Sequence, residues 1–92
     1  MKYKVNDSKK LNELIAETGN TINSFSDIMH ASSSYLKLVV NGKQDVFPPY
    51  AKRVIDLLNN LLELKTKEER LEITSIFFAV DVAKKKQSEK VS

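Results

Sequence analysis

Cysteine is absent from the 92 residues, so the chain has neither a disulfide staple nor a thiolate metal site. That absence also suits a reducing cytoplasm, the expected location. One histidine, His30, stands alone without a paired His or Cys ligand set, and no metal or cofactor is expected. Only two glycines occur, so there is no glycine-rich loop to cradle a phosphate. No apolar run approaches the roughly 20 residues that span a bilayer, and no membrane partner is expected. The basic start, Met1 to Asp7, lacks the apolar segment of a signal peptide. With no nucleophile–base or paired-ligand signature, the chain does not read as an enzyme.

Apolar residues make up 41% and charged residues 29%, which places the chain among globular proteins rather than disordered ones. The net charge of +3 permits a nucleic-acid partner without requiring one. A chain this short has a small core, and oligomerisation is one way to enlarge it.

The two glycines and two prolines punctuate a helical pattern. Residues up to about 7 are polar and are expected to fray. Ser8 then caps a first helix carrying Leu11, Leu14 and Ile15 on one face, with Gly19 at its end. Asn23 or Ser24 is expected to cap a second helix with Phe25, Ile28 and Met29, which runs to a turn at His30. The run Ser32-Ser33-Ser34 caps a third, in which Tyr35, Leu36, Val39 and Val40 recur, and Asn41-Gly42 stops it. At about nine residues, that third helix must be held by its neighbours. Pro48-Pro49 opens a fourth with Val54, Leu57, Leu58, Leu61 and Leu62 inward. Thr66 and Glu69 have capping-box spacing, which predicts a fifth helix from about Lys67 into Lys84-Lys85-Lys86. Glu68, Glu69 and Glu72 would favour the dipole of that helix at its start.

Short helices with tight joints suggest a helix-turn-helix. The segment Thr21 to Gly42, TINSFSDIMHASSSYLKLVVNG, resembles the lambda-repressor/Cro family. Phe25-Ser26, His30, Ser32, Leu36 and Asn41-Gly42 stand where that family has an apolar–small pair, a turn residue, a Ser or Thr, an aliphatic anchor and a closing Asn-Gly. Leu11, Leu14 and Gly19 match its first helix, while Val54, Ile55 and Leu58 match the helix behind the motif; the likeness covers about residues 8 to 62. The resemblance implies an all-α, five-helix domain, with a DNA-binding unit over residues 1–65 and a C-terminal helix with basic tail over 66–92. It implies a sequence-specific transcriptional regulator, in the repressor sense, of the kind found in bacteria, phage and plasmids.

By the same resemblance, Ser33, Ser34 and Leu38 occupy base-reading positions in a major groove, and Ser32, the cap, is also among the expected DNA-binding residues. Lys37, Asn41 and Lys43 would lie near phosphates, with Ser24 and the amides that start the second helix. Ile73, Ile76, Phe77 and Val80 form a stripe expected to join two copies into a homodimer, the alternative being a helix folded back over the first and fourth helices of its own chain. The third helix bears no arginine, while Ile22, Leu38 and Val40 are apolar where the family is commonly polar. Those replacements define the alternative, an antirepressor or inhibitor that keeps the fold and binds a protein partner instead of DNA.

Overall fold

The computed structural model describes residues 1–80. The order is strand β1 (Lys2–Val5), helices α1 (Ser8–Glu17), α2 (Ile22–Met29), α3 (Ser33–Val40) and α4 (Pro48–Leu61), a single-turn helix α5 (Ile73–Ile76) and strand β2 (Phe77–Val80). The chain is thus mostly helical with a small two-stranded sheet, which corrects the all-α expectation.

Caps explain where the helices begin. Asp7, rather than Ser8, caps α1: its carboxylate accepts the Lys10 amide at 3.2 Å. Thr21, rather than Asn23 or Ser24, caps α2, and Ser24 closes a reciprocal capping box from three residues on. Ser32 caps α3 by accepting the Tyr35 amide at 3.2 Å. Prolines fill the first turn of α4, where a missing N–H costs nothing. Gly42, at φ 75°, ends α3 while Lys43 donates its amide back to the Leu38 carbonyl at 2.8 Å.

Leu11, Phe25, Leu36, Val39, Val40, Val54 and Leu58 are fully buried and meet in one core. Each comes from a helix with an apolar stripe on one face, and packing those stripes together removes them from water.

The C-terminal region departs most from expectation. Thr66 and Glu69 do form reciprocal hydrogen bonds, yet they close only a local turn. The long fifth helix is replaced by α5 and β2. The Lys84-Lys85-Lys86 end of that expectation, with the basic tail, lies outside the described residues. The segment Ile73–Val80 is rich in β-branched and aromatic residues, which suit a pleated surface as well as a helix. Its partner is the N-terminus, which is ordered rather than frayed. β1 and β2 pair antiparallel, Lys2 with Val80 through Val5 with Phe77. Tyr3 exchanges both backbone hydrogen bonds with Val46, at 2.7 and 2.8 Å, so β1 is bracketed by β2 and the α3–α4 loop. Val5 and Phe77, paired across the sheet at its inner end, face the core, whereas Phe78 is exposed.

Buried Asn59 of α4 ties this return to the helices. Its amide donates to the Leu71 carbonyl at 3.0 Å, and its oxygen accepts the Leu71 amide at 2.7 Å. The side chain therefore serves Leu71 as a neighbouring strand's backbone would.

Candidate nucleic-acid interface

α2 and α3 are joined by three residues, His30 to Ser32. The joint is tight because His30 is left-handed, at φ 56° and ψ 45°. Its amide donates to Asp27 at 3.0 Å, and the Ala31 amide reaches the Ser26 carbonyl at 2.9 Å. α2 has no basic residue in its last turn to meet its terminal carbonyls. A guanidinium from another helix does so, as Arg53 of α4 donates to the Met29 carbonyl. Ser26 is fully buried, and its hydroxyl is satisfied by the Asn23 carbonyl at 2.7 Å.

α3 has two opposed faces. Leu36, Val39 and Val40 are buried to zero exposure. Ser34, Lys37, Leu38 and Asn41 are exposed, and their spacing of three, four and seven residues puts them on one stripe. Ser33 is half-buried at the edge of that stripe, and Lys43 is exposed just beyond the helix. The first turn of α3 is pinned by Tyr35, whose ring meets Tyr50 of α4 edge to face at 5.2 Å. Burial raises the Tyr50 pKa above the ordinary 10.0, with Tyr35 adding to the rise and Arg53 opposing it. The Tyr50 hydroxyl is buried, with no hydrogen-bond partner among the described residues.

The expected phosphate contacts are placed unequally. Lys37, Asn41 and Lys43 project outward together. Ser24 is half-buried, with its hydroxyl accepting the Thr21 amide and meeting Asn20 Oδ1, each at 2.9 Å, so it shapes the helix start more than it offers a free group. Ser32 is exposed, with its oxygen engaged by the Tyr35 amide. The stripe expected at a dimer seam is split. Ile76 and Phe77 are spent inside the chain's own core at 2% and 1% exposure, while Ile73 and Val80 are half-buried.

Of the three apolar residues behind the alternative reading, Val40 is core, Ile22 packs against the core, and only Leu38 is open to solvent. Sequence reasoning missed Arg53 and the Tyr35–Tyr50 contact. Arg53 lies 24 residues from its carbonyl partner, beyond the reach of any local pattern. The chain matches no known family model, characterised protein or solved structure.

Proposed function

We propose that this chain is a sequence-specific DNA-binding regulator of the lambda-repressor/Cro kind, which lays α3 in the major groove of duplex DNA. The supporting observation is the exposed stripe Ser34, Lys37, Leu38 and Asn41, set directly opposite a fully buried one on the second helix of a three-residue-joined pair. A short helix held this way presents side chains as a rigid row, and a groove about 12 Å wide admits it. Ser33 and Ser34 would hydrogen-bond base edges, and Leu38 would press on a thymine methyl. Lys37, Asn41 and Lys43 would meet phosphates. The amides of Ile22 and Asn23 at the start of α2, which its capping box does not use, could join them. Such binding at a promoter would repress by occupancy.

Binding of a duplex selected from a random library, followed by fluorescence anisotropy against salt, tests this. Affinity should fall with a log–log slope of about −0.9 for each phosphate neutralised. Lys37→Glu should abolish binding while leaving the circular-dichroism spectrum unchanged. Absence of any duplex binding at low salt removes the proposal.

A homodimer would set two such helices about one DNA turn, roughly 34 Å, apart. Because Ile76 and Phe77 are internal, the contact would use the surface around β2, where Phe78 is 48% exposed. Sedimentation of Phe78→Glu as a monomer, against a wild-type dimer, is the expected result.

The second reading, a protein-binding antirepressor, is favoured by the 44% exposure of both Ile28 and Leu38. Under it, Leu38→Asp disrupts a protein complex and DNA is not bound.

A further inference from the structure

We propose that Arg53 is a positioning residue that sets the direction of α3. The inference rests on the DNA-binding reading for its consequence, but on geometry for its substance. The last carbonyls of a helix carry a partial negative charge and need donors. At the end of α2 the amides of His30 and Ala31 serve Asp27 and Ser26. That leaves Ile28 and Met29, and the carbonyl of Met29, the last residue before the turn, receives the Arg53 guanidinium. α2 itself supplies no cation there, and its final two turns include Asp27 instead. Arg53 therefore provides from α4 what the local sequence withholds.

The location gives this contact its leverage. Met29 immediately precedes left-handed His30, the residue through which α2 turns into α3. Arg53 follows Tyr50 by three residues on α4, and Tyr50 holds Tyr35 in the first turn of α3. The two side chains thus grip the joint from one helix, Arg53 on its α2 side and Tyr50 on its α3 side. α4 is well suited to the task because Ala51, Val54, Ile55 and Leu58 bury it in the core. A charge-assisted hydrogen bond to the joint restrains rotation there, which apolar contacts along α3 do less well, being non-directional. A small rotation of a recognition helix misplaces every base contact at once and leaves diffuse phosphate attraction nearly intact.

Arg53→Met keeps the aliphatic stem and removes the donor, while Arg53→Lys keeps a donor and a charge. Two measurements on each decide the matter. Amide residual dipolar couplings give the orientation of α3 relative to α4 without DNA. Anisotropy titrations use a duplex selected by the wild-type chain and a mixed-sequence duplex of equal length, across a range of salt. R53M is expected to rotate α3 and to lose about tenfold or more of its affinity for the selected duplex, while mixed-sequence binding and the salt slope stay at wild-type values. R53K should restore most of both. Unchanged couplings in R53M overturn the proposal. A salt slope reduced by about one also overturns it, because Arg53 would then be a phosphate contact. Global unfolding of R53M would do the same, assigning the side chain to general stability. If the wild-type chain binds no duplex, the DNA reading alone fails, and the couplings still decide whether Arg53 orients α3.

Discussion

Asn59→Leu should unfasten the C-terminal return from the helices at little change in side-chain volume. Asn59 is 2% exposed and makes two hydrogen bonds to one residue, Leu71, at 3.0 and 2.7 Å. Each such bond is worth about 1 kcal/mol net, and stranding a buried backbone group costs a further ~1–3 kcal/mol. Leu71 is half-buried, so water recovers part of that loss. The sum is about 2–4 kcal/mol, a large share of the roughly 5–15 kcal/mol that holds a domain together. At about 4–8 °C per kcal/mol for a domain of this size, the melting temperature should drop by roughly 10–30 °C. Urea unfolding gives the free energy, and hydrogen exchange should show the Leu71 amide opening before those of Leu36 or Val39. Asn59→Asp provides a sharper test. The introduced carboxylate can accept from the Leu71 amide but faces the Leu71 carbonyl without a proton to donate. Protonation restores the donor, so the folded-state pKa of that carboxyl is raised. Its stabilising contribution is present below the ordinary carboxyl range and lost as pH rises through the folded value. The variant should therefore recover relative to wild type in acid. A wild-type melting temperature for N59L, or no acid recovery for N59D, would refute the reasoning.

Four further outcomes follow from the same contacts. Phe77→Ala should destabilise the chain by about 3–5 kcal/mol in urea, independent of protein concentration, because the ring is in the chain's own core; concentration dependence would return it to a subunit seam. His30→Gly should raise stability by up to about 1 kcal/mol, since the exposed imidazole makes no described hydrogen bond and a left-handed φ of 56° favours glycine. Tyr50→Phe should be neutral or stabilising by about 1 kcal/mol in thermal melts, because it removes a buried hydroxyl with no partner among the described residues. The raised Tyr50 pKa implies stability that is full below about pH 10, the unfolded value, and lost as pH rises through the higher folded value. Urea midpoints between pH 9 and 11.5 should show that loss in wild type and a smaller one in Y50F.

Much of the helical layer was legible because its signals are local. Ser32, three residues before Tyr35, caps α3 as its position predicts, and Asn41-Gly42 stops that helix. The periodicity of Leu36 and Val39 identifies the buried face of α3, and with it the exposed stripe on which the candidate interface rests, whereas the burial of Val40 comes from the structure. Where several polar residues stand together, the cap lies one to three positions from the expected residue. Asp7 displaced Ser8, and Thr21 displaced Asn23 and Ser24, because either neighbour has the right chemistry and only backbone direction selects between them.

Four amphipathic helices and most of their inward faces follow from local chain chemistry, since a 3.6-residue repeat and a cap are settled within a few turns. The fate of Lys2–Val5 and Phe77–Val80 depends instead on long-range packing. Either segment alone has an ambiguous pattern, and a strand needs a partner to satisfy its backbone; here that partner lies more than 70 residues away. The same holds for Arg53 on Met29 and Asn59 on Leu71, contacts 24 and 12 residues apart that come into being only once α4 has packed.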